Sequence, residues 1–346
     1  MAPKIVLLPG DGIGPEVTAA AVEVLSRLAT FDFAEFPFGA AAIECFGTPL
    51  PAEALAECRS ADAVLVGAVG TACQQAAPGA PTVGAGLLRL RAELRLYANI
   101  RPVRAWPALG GLGPLRADLV TGADFVIVRE LAGGLYSGVA ERTADHAYDT
   151  CVYTAAAIER IAEVAFRLAS APGRHGRVTS VDKANVLETS RLWRETLTSV
   201  GEQRFPDIEL RHLLVDAAAL ALISAPRQFD VLVTENMFGD ILSDEAAAVT
   251  GSLGMLPSAS LGDEARGLFE PVHGSAPDIS GAGIANPCGA ILSAAMLLRQ
   301  LTGYEREAEA IELAVARALA QGARTPDVGG TATTADVTRA VLAELG

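Results

Sequence analysis

The chain alternates short apolar runs with longer segments in which apolar positions recur every three or four residues. The runs have the length and the branched side chains of buried strands. The longer segments, such as residues 17–28, predict helices that bury one face. Strands that alternate with helices predict an α/β fold with a mostly parallel core sheet. The predicted strands lie at residues 4–8, 63–66, 125–128, 178–181, 213–215 and 231–234.

Polar residues follow several of these predicted strands directly. Such residues are Arg129, Lys183, Asp216 and Asn236. Because ligands of open α/β sheets gather at the carboxyl ends of the strands, we expect these side chains to line one cleft. The first strand runs into a glycine-rich turn at residues 9–16. The spacing of its glycines is not G-x-G-x-x-G, so the turn does not predict a classical Rossmann fold.

Two aspartates follow the last predicted strand on a predicted helix. Asp240 and Asp244 are four residues apart, so their carboxylates stand one turn apart on the same face. A divalent cation such as Mg²⁺ or Mn²⁺ would relieve their repulsion, because such ions prefer oxygen ligands. The spacing alone fits a solvated acidic helix face equally well.

Arginines and long loops provide candidate ligand-binding groups. Arg91 and Arg95 are placed on one predicted helical face, and Arg101 and Arg129 complete a set suited to carboxylate binding. A basic surface paired with acidic residues is the alternative interpretation. Residues 251–261 and 269–279 predict long loops that can wrap a nucleotide, with an acidic side chain in the second loop for a ribose diol.

Composition narrows the class of partner and the compartment. The net charge of −14 argues against nucleic acid and against anionic membrane surfaces, which both require a basic stripe. No apolar run reaches membrane-spanning length, and the first residues do not resemble a signal peptide. Five scattered cysteines without a C-x-x-C pair suggest free thiols in a reducing compartment. We therefore expect a cytoplasmic protein with a small-molecule substrate.

One lysine and one tyrosine are candidates for proton transfer. Lys4 and Lys183 are the only lysines among 27 basic residues. A partly buried lysine can lose its proton near neutral pH whereas an arginine cannot, so Lys183 is a candidate base. Tyr136, in the glycine-rich segment 131–138, could donate a proton if it lies beside a lysine. Chance placement and ordinary packing remain open alternatives.

Six segments together resemble the β-decarboxylating dehydrogenases of the isocitrate/isopropylmalate family. They are residues 8–16, 98–102, 128–130, 182–185, 236–244 and 270–278. The resemblance runs nearly end to end. It implies a two-domain α/β fold with a shared central sheet, in which residues 1–98 and 249–346 form an NAD-binding domain. Residues 99–248 would bind substrate and metal and form a homodimer.

The resemblance also implies the reaction and the residues that perform it. The expected reaction is NAD-dependent oxidative decarboxylation of (2R,3S)-3-isopropylmalate to 2-oxo-4-methylpentanoate, in leucine biosynthesis. Tyr136 and Lys183 would be the acid–base pair, and Mg²⁺ or Mn²⁺ would be held by Asp216, Asp240 and Asp244. Lys183 and Asp216 would reach into the partner subunit's site. The expected substrate-binding residues are Arg91, Arg101, Arg129, Asp216, Leu87 and Leu88. The expected cofactor-binding residues are His273, Gly274, Ser275, Ala276, Pro277, Asp278, Ile279 and Asn286.

Some positions depart from the family pattern near the substrate end of the pocket. Residues 71–73 and 82–86 lack the usual residues, and Ser137 follows Tyr136 where an aromatic side chain is common. Leu87 and Leu88 suit an isopropyl group, whereas relatives that act on isocitrate carry polar residues on this helix. A paralogue for homoisocitrate, tartrate, malate or another alkylmalate therefore stays open. A non-catalytic regulatory subunit is a further alternative, although all the expected metal and base residues are present.

Overall fold

The computed structural model describes residues 2–70, 82–264 and 266–346, and it has a mixed α/β fold with a large central sheet. The α/β fold predicted from the sequence is confirmed. The departures at residues 71–73 lie outside the described residues. The strands, numbered in chain order, are β1 Lys4–Gly10, β2 Asp32–Glu35, β3 Ala63–Ala68, β4 Ala98–Arg104, β5 Asp124–Glu130, β6 Ala140–Arg142, β7 Ala147–Asp149, β8 Arg177–Asp182, β9 Glu209–Leu214, β10 Val231–Thr234, β11 Pro257–Leu261 and β12 Gly267–Pro271.

The helices connect these strands and cover them. No helix of the described chain is long and apolar enough to cross a membrane. In chain order the helices are α1 Gly14–Leu28, α2 Ala40–Phe46, α3 Ala52–Ser60, α4 Val83–Glu93, α5 Ala117–Val120, α6 Ala155–Ala169, α7 Glu188–Arg204, α8 Val215–Ser224, α9 Asn236–Glu245, α10 Ala247–Thr250, α11 Cys288–Gln300, α12 Glu305–Ala320 and α13 Thr334–Glu344.

The chain divides into two compact units, and the first consists of Met1–Leu96, Trp106–Gly113 and Gly251–Gly346. Its strands follow the order β2-β1-β3-β12-β11, and all neighbours are parallel except β11 and β12. Side chains of β1 alternate between two apolar cores, as a strand buried on both faces requires. Ile5 joins the core built with α1, α11, α12 and α13, and Val6 joins the core built around Phe38 and Leu90.

The second unit consists of Tyr97–Ala105 and Pro114–Thr250. Its strands follow the order β4-β5-β10-β8-β9, in which β4 is antiparallel to β5 and the others are parallel. The amphipathic helix α6 buries Ile158 and Phe166 against this sheet and against α7. Helix α9 lies against β5. The short hairpin of β6 and β7 is exposed along its whole length.

Two local predictions were wrong. Residues 251–261, expected to be a loop, contain β11, and residues 269–279 begin inside β12; the two strands pair antiparallel. Ser258 and Ser260 on β11 are small and fully buried, so packing under α11 decides their conformation rather than strand propensity. Arg95 does not share a helical face with Arg91, because α4 ends at Glu93 and Arg95 takes a left-handed backbone conformation, with φ 54°.

Candidate active site

The second unit brings two of the expected arginines to helix α9. Arg101 lies in the middle of β4, and Arg129 is the penultimate residue of β5. Both side chains are almost fully buried. The side chain of Arg129 can lie against α9 because residue 239 is glycine. A Cβ at Gly239 would stand only 2.6 Å from Cγ of Arg129.

The buried guanidinium groups meet the two aspartates of α9. Arg129 Nη1 donates to Asp240 Oδ1. Arg101 lies 3.7 Å from the carboxylate of Asp240 and 3.7 Å from that of Asp244. Arg101 also donates to Asn99 Oδ1 at 2.6 Å and to Ser243 Oγ. The predicted one-turn spacing of the carboxylates therefore places both within reach of the same arginine.

Tyr136 joins this group from the loop that follows β5. Its hydroxyl donates to Asp240 Oδ2 at 3.1 Å, and Arg129 Cζ lies 5.7 Å from the centre of its ring. Burial and the nearby charge of Asp240 raise the pKa of the phenol. The phenol therefore keeps its proton over the whole neutral range and can act as a proton donor. Burial also raises the pKa of Asp244, against the lowering effect of Arg101.

Lys183 and Asp216 form a separate, more exposed pair. Lys183 follows β8 directly, and Asp216 lies in the first turn of α8. Their side chains are joined at 2.5 Å, and this hydrogen bond lowers the pKa of Asp216. The Asp216 side chain is 64% exposed.

The expected metal ligands are only partly gathered within one chain. Among residues 2–70, 82–264 and 266–346, no three His, Cys, Asp or Glu side chains cluster as a metal site would require. Asp240 and Asp244 nevertheless offer oxygen ligands of the kind that Mg²⁺ and Mn²⁺ prefer. These two carboxylates therefore fit two of the oxygen ligands of such an ion.

The expected substrate residues of the first unit lie on α4. Arg91 is mostly buried, and its Nη2 donates to Glu270 Oε1 on β12 at 2.6 Å. Glu270 was not among the residues expected to interact here, since it is 179 positions away in sequence. Leu87 packs partly against the core around Phe38, whereas Leu88 is exposed.

The expected cofactor segment of the first unit lies beside the glycine-rich turn after β1. The backbone N–H of Ile13 donates to Ser275 O at 2.9 Å. Within the turn, Asp11 accepts hydrogen bonds from the backbone N–H groups of Ala40 and Ala41 and from that of Gly70. One carboxylate thus joins three segments of the unit, a role that its place in a glycine-rich turn did not reveal.

One buried atom in the cofactor segment has no partner among the described residues. His273 Nδ1 is 2.9 Å from Gly274 O, but Nε2 is buried without a hydrogen bond. Burial lowers the pKa of His273, which favours the neutral ring. Asp278 is exposed, as a ribose contact would require. These features fit a dinucleotide.

The remaining residues of the expected cofactor set differ in exposure. Gly274 and Pro277 are exposed, Ala276 and Ile279 are half-buried, and Ser275 is buried. Asn286 is also buried and is used internally. Its Nδ2 donates to Asp327 Oδ2 at 3.0 Å, and its Oδ1 accepts from the backbone N–H of Cys288.

Comparison with known proteins gives concordant matches over nearly the whole chain. A family model described as isocitrate/isopropylmalate dehydrogenase matches residues 4–341. The 3-isopropylmalate dehydrogenase of Geobacillus kaustophilus is 56% identical over 335 residues, covering 94% of this chain and 90% of the relative. That of Bacillus subtilis is 54% identical over 339 residues, covering 95% and 92%.

Solved structures agree with this result. The isocitrate dehydrogenase of Methylococcus capsulatus superposes with a TM-score of 0.89 at 37% identity, over 100% of this chain and 99% of that chain. A β-decarboxylating dehydrogenase of Thermococcus kodakarensis gives a TM-score of 0.82 at 41% identity, over 100% and 96%. The fold and these matches define a β-decarboxylating dehydrogenase. The chain belongs to the isocitrate/isopropylmalate dehydrogenase family.

Proposed function

We propose that the chain catalyses NAD-dependent oxidative decarboxylation of (2R,3S)-3-isopropylmalate to 2-oxo-4-methylpentanoate, a step of leucine biosynthesis. The observation that carries the proposal is the meeting of Arg101, Arg129 and Tyr136 at the carboxylates of α9. A 2-hydroxy dicarboxylate needs cations for its carboxylates, oxygen ligands for a metal and a proton donor. Relatives more than 50% identical carry the corresponding name.

The two buried arginines bind the substrate in this proposal. Their guanidinium groups are held in place before substrate arrives, so little side-chain entropy is lost on binding. The substrate's carboxylates would take over contacts now made with Asp240. Arg91, which is paired with Glu270, is a further substrate-binding arginine in this proposal.

Metal and nicotinamide supply chemistry that the side chains lack. Asp240, Asp244 and Asp216 would hold Mg²⁺ or Mn²⁺, which when bound acidifies the hydroxyl of the substrate and stabilises developing negative charge on oxygen. NAD⁺ would accept the hydride when bound in the first unit. The segment from His273 to Ile279 would bind it, with Asp278 at the ribose.

Lys183 and Tyr136 handle the protons. Lys183 would accept the proton of the 2-hydroxyl, directly or through water. Tyr136 would donate a proton after carbon dioxide leaves, and its raised pKa suits a donor that must stay protonated at neutral pH. The position of Lys183 in an exposed pair with Asp216 suits two groups that act at the edge of another subunit.

We propose a homodimer in which Lys183 and Asp216 complete the partner subunit's site. Two observations support this arrangement. Asp216 does not cluster with Asp240 and Asp244 among the described residues of one chain, and both members of its pair are accessible. The first unit would bind NAD and the second would bind substrate and metal. Because Cys45, Cys58, Cys151 and Cys288 are free thiols, a reducing compartment such as the cytoplasm suits the protein.

The first test is NADH absorbance with purified protein, Mg²⁺, NAD⁺ and a panel of substrates. The panel holds 3-isopropylmalate, isocitrate, homoisocitrate, tartrate and malate. We expect the highest kcat/KM for 3-isopropylmalate, because Leu87 and Leu88 offer apolar surface to its side chain. A preference for any other member of the panel contradicts the proposed substrate, and NADP⁺ in place of NAD⁺ tests the cofactor.

A further inference from the structure

Asn236, the first residue of α9, has hydrogen bonds on every polar atom of its side chain. Its Oδ1 accepts from Arg129 Nε at 3.0 Å and from Arg129 Nη2 at 2.9 Å. Its Nδ2 donates to Leu131 O at 3.2 Å and to Gly133 O at 3.1 Å. The side chain is buried, so none of these bonds competes with bulk water. One amide therefore joins the end of β5, the loop after it and the start of α9.

The loop that Asn236 holds is the one that carries Tyr136. Its backbone N–H groups at Ala132 and Gly133 donate to the buried carboxylate of Glu130 at 2.9 and 2.7 Å. The Tyr153 ring lies so close that a Cβ at Gly133 would stand 2.6 Å from its Cε1. The Tyr153 hydroxyl in turn accepts from the backbone N–H of Asn236 at 2.9 Å. The loop is thus held from three sides.

We propose that Asn236 is a positioning residue that sets Arg129 and Tyr136 in register with the carboxylates of α9. The inference rests on the proposed function, because the roles of Arg129 and Tyr136 belong to it. Arg129 and Tyr136 both contact Asp240, one turn further along the helix that Asn236 begins. A shift of the amide would therefore change the orientation of the arginine and the reach of the phenol together.

The chemistry of the amide explains why a carboxylate cannot replace it. An aspartate at position 236 would still accept from the guanidinium of Arg129. It would have no donor for the carbonyl oxygens of Leu131 and Gly133, and its negative charge would repel them. Asn236→Asp therefore keeps the anchor of the arginine and releases the loop. This separation makes the proposal testable without removing either group that contacts substrate.

The test compares Asn236→Asp, Tyr136→Phe and the double variant in steady-state kinetics. We expect Asn236→Asp to lower kcat by about tenfold to a hundredfold, since small displacements of a reacting group cost this much. The KM for the hydroxy acid should rise by a smaller factor. The double variant should be no slower than Tyr136→Phe alone, because the amide acts through a phenol that is then absent. Losses that multiply, or a wild-type kcat for Asn236→Asp, would overturn the proposal.

Ser190→Ala is the matched control. Ser190 is fully buried and donates to Glu235, the residue before α9, and in the described part of the chain its hydroxyl bonds neither Arg129 nor the loop. We expect its kcat to stay within about twofold of wild type even if its Tm falls as far as that of Asn236→Asp. Equal loss of kcat in both variants would mean that general destabilisation is the cause, and would contradict the proposal.

Hydrogen exchange separates this proposal from the proposed function. If wild-type protein turns over no member of the substrate panel, the proposed function fails, but the anchoring of the loop is still measurable. Mass spectrometry should show exchange at residues 132 and 133 at least about tenfold faster in Asn236→Asp, and unchanged in Ser190→Ala. Unchanged protection in Asn236→Asp would overturn the inference whatever the activity.

Discussion

Two groups of charged side chains in the second unit differ in how firmly contacts within the chain hold them in place. Arg101 and Arg129 are buried and hydrogen-bonded, and they meet the aspartates of α9. Lys183 and Asp216 are bonded to each other, and Asp216 is largely exposed. In the proposed function, the chain itself thus holds the substrate-binding arginines in place, whereas the proposed base and third metal ligand lie in a more exposed pair. If the proposed homodimer forms, the second group contributes to catalysis only through the partner subunit.

The largest expected effect is the loss of Lys183, the proposed base. Lys183→Met should lower kcat by about 10²–10⁴-fold, the usual contribution of a proton-transfer group. It should leave Tm nearly unchanged, because an exposed ion pair contributes little to stability. Initial rates of NADH formation and thermal unfolding measure the two quantities. Lys4→Met, which removes the other lysine and its pair with Glu57, is the control and should keep wild-type kcat.

Subunit mixing tests directly whether the exposed pair acts in a second copy. Lys183→Met and Asp240→Asn should each be almost inactive as homodimers. In a mixed dimer one site would have an intact Asp240 from one subunit and an intact Lys183 from the other. Random reassociation should then restore about one quarter of wild-type activity, since half the dimers are mixed and each has one intact site. No recovery, in mixtures shown to contain mixed dimers, would place both residues in one chain.

A smaller effect is expected from a substitution in the buried arginine group. Arg129→Lys removes the fork that bonds Asn236 and Asp240 together, and a lysine cannot replace a bidentate contact. We expect kcat/KM for the hydroxy acid to fall by about a hundredfold, chiefly through KM. The control is Arg116→Lys, which alters an exposed pair with Asp118. An unchanged KM for Arg129→Lys would show that this arginine does not bind substrate carboxylate.

The smallest expected effect is on the pH dependence of the free energy of unfolding, through the buried carboxyl group of Glu235. Glu235 precedes α9, and burial raises its pKa to about 7, with a further contribution from Asp182 beside Lys183. The folded pKa lies above the unfolded value, so stability falls as pH rises from about 4.5 through 7. Between pH 5 and 8, the free energy of unfolding should therefore decrease by about 2 kcal/mol less in Glu235→Gln than in wild type. Urea unfolding at both pH values measures this difference. The control is Glu188→Gln, at an exposed glutamate, which should show the wild-type pH dependence.

Local patterns in the sequence were enough to predict much of the second unit. Residues 125–128, 178–181 and 231–234 form strands as expected, because apolar runs of this length are buried wherever the sheet forms. The one-turn separation of Asp240 and Asp244 follows from helical spacing alone, and the structure places both on α9. The roles of the site residues stay predictions that the experiments above test.

Contacts between distant segments could not be predicted in this way. Arg91 bonds Glu270 across 179 positions, and nothing in either local pattern indicates the pair. Asn236 was expected at a strand end, but its bonds depend on where the loop after β5 lies. Strand β11 was missed because its small serines are strand residues through packing, which local propensity does not reveal.

Asp11 couples the local unfolding of three segments of the first unit. Its carboxylate accepts N–H groups from the start of α2 and from Gly70, just after β3. Neither segment can swing away without leaving a partly buried carboxylate short of donors. Fluctuations that expose the turn after β1 must therefore occur together with fluctuations at residues 40, 41 and 70. In cooperative terms, these distant pieces of chain behave as one opening unit.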